Sequence, residues 1–438
     1  MGATPATDGS PKPRPTISKT WFNVLDKAAL ADALIPVTVA LHLSESTREL
    51  GLVSLFSWIV LKLISCIQRQ IRQSAPRETW LSWCVLLALV LLQARNIILR
   101  DDYRGPVLFL LIGSGLLIGS QLTQRSWQLL LSWMSLAIAP IALFFAIQLS
   151  ASGDWSVQSM FDLYYATIQR SLGSINRLAT LTTFLTLAAW YSATQARGLW
   201  WRGVHLALFA LGYWVILGTD SRMAILAVPL AISLPWLGLR LRHHVRRRQW
   251  VLSLIAVGSL LSAAAWKLVI APDIGSDAMR LQMASCWVRK GMLKSTERFW
   301  MGSGYDTSGL RAACESVRPG LSFGHAHNTW AQVAGNHGLL GLIVLMALSG
   351  LILQGLWTQQ MAVSAARNWS PWNSTNWSEI SLGLNLALLF CALSTTVQEF
   401  SPINQLLIGL VAGTACINPV STDDGKGMRQ DIKENQHC

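Results

Sequence analysis

Residues 127–149 read WQLLLSWMSLAIAPIALFFAIQL, 23 positions without a formal charge. About 20 apolar residues in a helix match the hydrocarbon thickness of a bilayer, so this stretch reads as a transmembrane helix. Outward from it, Gly105–Leu122 and Trp250–Ala265 are uncharged runs of the same kind. The chain of 438 residues is 52% hydrophobic and only 13% charged, with a mean hydropathy of +0.39. A soluble globular domain carries roughly 25% charged residues. That deficit excludes an ordinary soluble fold and points to an all-α, polytopic integral membrane protein.

Apolar runs predict about twelve spans: 28–43, 51–68, 80–94, 106–122, 127–149, 177–194, 200–217, 222–239, 250–271, 337–357, 380–397 and 403–418. The first is the weakest, because Asp26, Lys27 and Asp32 interrupt it. The polar segment 1–27 lacks the apolar core of a cleavable signal peptide and is expected to be a cytoplasmic tail. Residues 28–418 form the helical domain, and 419–438 a second cytoplasmic tail.

Orientation follows from Lys and Arg in short loops, which favour the cytoplasm. The link LRLRHHVRRRQW contributes Arg240, Arg242, Arg246, Arg247 and Arg248. Arg69, Arg72 and Arg77 mark another inside loop, and Lys12, Arg14 and Lys19 put the N-terminus inside. The intervening links SESTREL, ASGDWSV and EFSPI are poor in Lys and Arg, whereas RNIILRDDYR votes the other way. With both termini inside, the only long hydrophilic loop, 272–336 between spans nine and ten, faces outward. Its Met, Trp, Cys and Phe recur at helical spacing, so it is expected to fold. The net charge of +13 has the same origin as the loop asymmetry. No basic–aromatic module or zinc-finger spacing accompanies it, so the expected partner is a lipid bilayer and not a nucleic acid.

That loop gathers the polar residues that carry chemistry. In DIGSDAMRLQMASCWVRKGMLKS, Ser276 can cap a helix whose apolar face is Met279, Met283, Trp287 and Val288. Arg280 lies near its start, as a solvated side chain or a functional one. Cys286 and Cys314 share the loop. An oxidising compartment permits their bridging, worth about 3–4 kcal/mol on the chain-entropy model, and two free thiols are equally compatible with the sequence. Gly302 and Gly304 of GSGYDTSG permit close backbone approach. No strand precedes them, so they are not a nucleotide fingerprint.

The loop ends in GHAHNTWAQVAGNHGLLGL, residues 324–342. Asn328 can cap TWAQVA, which puts His327 just before a helix N-terminus, where anions are favoured. A neutral imidazole there can accept a proton. Polar capping at a membrane interface is the simpler explanation. A metal is not expected, because His325 and His327 lack the H-E-x-x-H spacing and no neighbouring carboxylate or Cys completes a ligand set. His337 reads as structural. Arg222, at the head of span eight in GTDSRMAIL, is either a snorkelling anchor paired with Asp220 or a functional cation.

Together these stretches resemble the O-antigen ligase and O-antigen polymerase family of membrane glycosyltransferases. The ligase-like pattern is His-Asn, nine residues, Gly, two residues and a small residue; here it is His327, Asn328, Gly338 and Gly341. MRLQMASCWVRKGM followed by FWMGSGYDTSG is similar to the family's Arg-bearing helix and Gly-x-Gly turn, and TDSRMAIL to its Ser-Arg segment. The likeness covers about residues 211–356.

The resemblance implies transfer of a glycan from a polyprenyl-diphosphate carrier to an acceptor hydroxyl on the periplasmic face of a bacterial inner membrane. The acceptor would be lipid A-core, a growing polysaccharide or a protein. By position, His327 would be the catalytic base, Arg222 and Arg280 the functional cations, and His325, Asn328, Gly302 and Gly304 substrate-binding residues. No metal or cofactor is implied, since two arginines can carry the diphosphate charge. The polymerase version would use the same residues. A transporter, or a protein associated with inorganic-carbon accumulation, is the alternative from another class; it would place polar breaks mid-span, where this chain has few.

Overall fold

A computed structural model describes residues 31–72, 104–163, 175–196, 198–219, 221–242, 274–304, 308–315, 326, 328–365, 377–394 and 402–415. Every regular element among them is helical. In chain order they are α1 (Leu34–His42), α2 (Arg48–Arg72), α3 (Arg104–Gln121), α4 (Gln124–Leu136), α5 (Ile138–Ser152), α6 (Val157–Leu163), α7 (Ile175–Gln195) and α8 (Leu199–Gly218). Then follow α9 (Arg222–Arg242), α10 (Ile274–Trp287), α11 (Thr296–Met301), α12 (Ser308–Glu315), α13 (Thr329–Ala365), α14 (Trp377–Ser394) and α15 (Pro402–Thr414). The expected spans at 80–94 and 250–271 lie outside the described residues.

Among the described residues, 4 stretches are helical, long and apolar enough to cross a membrane: Glu45–Ile67, Arg125–Ser152, Leu199–Gly218 and Thr329–Ala347. Shorter apolar helices cover Leu110–Gln121, Met223–Pro235, Glu379–Ala392 and Pro402–Thr414. The run that opened the sequence reading is two helices, α4 and α5, meeting at Ala137. Pro140 explains the break: it has no N–H for the carbonyl of Leu136, and its ring crowds that oxygen.

The bundle is held by two kinds of contact that suit an apolar surround. The first is glycine. Gly115 and Gly119 of α3 face Gly409 and Gly413 of α15, and a Cβ at Gly115 would collide with the Leu406 carbonyl, one at Gly409 with the Ile112 carbonyl. Two G-x-x-x-G faces thus let the backbones touch, which compensates for the weak hydrophobic drive between helices in lipid. The second is buried polar pairing. Asn385 Nδ2 of α14 donates to the Val411 carbonyl at 3.2 Å and to Thr414 Oγ1 at 3.0 Å, both on α15. Tyr191 of α7 donates to the carbonyl of Ala231 on α9 at 3.3 Å, close beside that of Glu379 on α14.

Asp32, expected to weaken the first span, has a partner. Its carboxylate lies 2.6 Å from Lys62 Nζ of α2, with both side chains almost fully buried, and it also accepts from Trp58 Nε1 at 3.1 Å. A charge in an apolar surround is retained only when paired, and here the pair joins the start of the chain's first described helix to its neighbour.

Between α9 and α13 the long hydrophilic segment does fold. Helices α10, α11 and α12 and a π-helical turn, Val288–Met292, build a small lobe with its own core around Met283, Trp287, Leu310 and Ala331. A disulfide between Cys286 and Cys314 ties α10 to α12 across 28 residues of sequence. The structure thus decides between the two states the sequence left open.

Candidate functional site

Helix α13 begins where the sequence places its cap. Asn328 Oδ1 accepts the backbone N–H of Ala331 at 2.9 Å, and the Asn328 carbonyl accepts from the N–H of Gln332 at 2.9 Å. One turn in, the fully buried Gln332 reaches back: its Oε1 accepts the N–H of Ala326 at 2.7 Å. Ala326 and Asn328 flank His327 in sequence, and each is pinned to the first turn of α13. His325 and His327 themselves lie outside the described residues.

The expected boundary between this helix and span ten is not a loop. Helix α13 runs from Thr329 to Ala365, broken at one residue, Gly338, whose φ of 62° and ψ of −155° are far from helical. Such a break takes partners away from the carbonyls one turn earlier. The Gly-x-Gly turn supplies replacements. Ser303 N–H donates to the Gly335 carbonyl at 2.8 Å, and Gly304 N–H to the Asn336 carbonyl at 2.9 Å. Ser303 Oγ adds a third bond to Gly335 at 3.0 Å.

Only glycine fits this docking. Gly302 and Gly304 have φ of 69° and 84°, the left-handed region that side chains avoid. A Cβ on Gly302 would strike the Asn336 carbonyl group, and one on Gly338 would come within 2.6 Å of Gly302 N. The π turn joins the same seam, since a Cβ on Gly291 would lie 2.6 Å from Gly335 Cα. Above it the fully buried Trp287 donates from Nε1 to Asn336 Oδ1 at 3.1 Å. His337, buried on the next position, has its Cβ where a side chain at Gly341 would need to be.

The other expected site residues divide between this lobe and the bundle. Helix α10 starts at Ile274, so Ser276 falls in its first turn and is not its cap; Arg280 follows one turn later. Helix α10 packs against α13 and the π turn. The fold therefore brings the backbone of Arg280 into the unit that holds Gly302, Gly304 and Asn328. Arg222 is the first residue of α9, which packs mainly on α14 and α7 and belongs to the bundle. The side chains of both arginines lie outside the described residues.

Sequence reasoning missed Gln332, Ser303, Gly335 and Asn336. The small residues were visible as AGNHG and GSG, but their pairing across the loop had no local signature. No family model matches the chain, and no curated protein matches it.

Proposed function

We propose that this protein is a polytopic bacterial inner-membrane glycosyltransferase of the O-antigen ligase type. It moves a glycan from a polyprenyl-diphosphate carrier to an acceptor hydroxyl on lipid A-core, a polysaccharide or a protein. About twelve spans with both termini inside would put the disulfide-closed lobe in the periplasm. The observation that carries this reading is the docking of Gly302–Gly304 onto Gly335 and Asn336, about two turns along α13 from the Asn328 cap. Two of the three stretches that carry the resemblance, the Gly-x-Gly turn and the segment after Asn328, are one packed unit, while the Ser-Arg segment belongs to the bundle. A disulfide in that unit fits an oxidising compartment.

The chemistry asks for little beyond this residue set. His327, neutral near the head of α13, takes the proton of the acceptor hydroxyl as its oxygen attacks the anomeric carbon. The bond from that carbon to the diphosphate breaks, and polyprenyl diphosphate departs with the electron pair. Arg280 and Arg222 bind the diphosphate through planar, permanently charged guanidinium groups. Diphosphate is a good leaving group, so the paired carboxylates of glycoside hydrolysis are not required.

Deleting the gene and resolving surface glycans by gel tests the reading. Loss of all attached polymer, with lipid-linked glycan accumulating, is the expected result. Single-repeat products would assign polymerase chemistry to the same site, and unchanged ladders would contradict glycan transfer.

A further inference from the structure

A cavity lies at the end of α8 away from Arg222, about 30 Å along the 20-residue helix. It is an open cleft of about 950 Å³ between α4, α7 and α8. Arg125, Gln128 and Ser132 line it from successive turns of α4, Ser192 and Gln195 from the end of α7, and Trp201 from the start of α8. Trp133 adds a second indole. Among the described residues the lining contains one arginine, the His205 imidazole, several neutral hydrogen-bonding groups and no carboxylate.

Two features favour a polar ligand in the cavity. Ser192 is 5% exposed, yet its Oγ has no hydrogen-bond partner, and the buried Nε2 of Gln195 has none either. Unpaired buried polar groups are costly and uncommon. The N-terminus of α8 also opens here, capped by Gly198, which has no side chain to satisfy the first N–H groups. That end carries partial positive charge and favours an anion. Beside the mouth, Leu199, Trp200 and Trp201 are exposed on a helix apolar enough to cross a membrane. Indoles so placed suit the level of lipid headgroups.

We propose that this cavity binds the headgroup of an anionic, hydroxyl-bearing membrane phospholipid, of which phosphatidylglycerol is the simplest. Its phosphate sits between Arg125 and the α8 N-terminus, its hydroxyls bond Ser192 and Gln195, and its acyl chains leave over Leu199–Trp201. An ethanolamine or choline headgroup would bring an ammonium to a cavity whose described lining holds a guanidinium and no carboxylate. The site is independent of the glycan-transfer reading.

The test uses the full-length protein in detergent, given phosphatidylglycerol, phosphatidylethanolamine or phosphatidylcholine at equal mole fraction. Retained lipid is counted by native mass spectrometry. Phosphatidylglycerol is expected to exceed the other two by about tenfold, the scale of one charge-assisted phosphate contact. Arg125→Gln should remove most of that preference, and Ser192→Val should reduce it with unfolding temperature unchanged in lipid-free detergent. Arg298→Gln should leave it intact, since Arg298 bonds the Lys290 carbonyl in the α10–α12 lobe and does not line the cavity. Equal retention of the three lipids, or a preference that survives both cavity substitutions, would overturn the proposal. So would displacement of the lipid by an equal concentration of glycerol 3-phosphate, which would make the ligand a soluble one.

Discussion

Trp287 Nε1 donates to Asn336 Oδ1 across 3.1 Å, a buried bond between residues 49 apart in sequence. It fixes the last residue of α10 to the turn of α13 just before Gly338. Trp287→Phe keeps most of the apolar packing but leaves the Asn336 oxygen unpaired, at a cost of about 1–3 kcal/mol. Thermal unfolding should register that loss, and glycan transfer should fall with it. An unchanged unfolding temperature would mean that the bond contributes nothing to the lobe.

The glycine seam makes a sharper prediction, because a control sits in the same lobe. Gly302→Ala and Gly335→Ala each push a methyl group into backbone or into the Trp287 ring. Both should severely reduce the proposed glycan transfer while the protein still inserts in the membrane. Gly309→Ala in α12 meets nothing within 4 Å and should be neutral or stabilising by about 0.5–1 kcal/mol. Comparing transfer and membrane yield across the three variants checks the seam directly.

Removing the disulfide should loosen the lobe and spare the bundle. Cys286→Ser with Cys314→Ser gives up about 3–4 kcal/mol of closure entropy. Proteolysis within 274–315 should accelerate, with fragment sizes showing the remaining helices intact. Wild-type protein treated with a reductant should behave in the same way.

The buried Asp32–Lys62 pair predicts non-additive substitutions. Lys62→Met strands a carboxylate among apolar side chains and should cost about 3–5 kcal/mol. Adding Asp32→Asn removes the stranded charge and preserves an acceptor for Trp58, so the double variant should recover most of the loss. Folded yield after detergent extraction is the readout, and equal yields for the single and double variants would contradict the pairing.

The helical runs were legible in the sequence because lipid imposes a length and a polarity that composition alone records. The Asn328 cap was legible because its chemistry is local. Gly338 was visible only as part of a motif; that it bends one continuous helix depends on partners from residues 302–304. Asp32 read as a defect because Lys62 lies on another helix. The G-x-x-x-G steps at Gly115 and Gly409 could have been found in the sequence as close-packing faces. Nothing local could have matched those two helices to each other, since pairing is set by the whole bundle. The candidate site divides in the same way. Its cap and turn glycines could be found one by one, whereas Gln332 and Asn336 gain their roles only through contacts across the lobe.

In the proposed reaction the lobe supports glycan transfer with His327 as base. The most direct measurement is the glycan profile of cells carrying His327→Ala, with membrane abundance of the protein measured alongside. The expected result is normal abundance, no attached or elongated polymer, and accumulation of polyprenyl-linked glycan. Normal surface-polysaccharide ladders from that variant would contradict it.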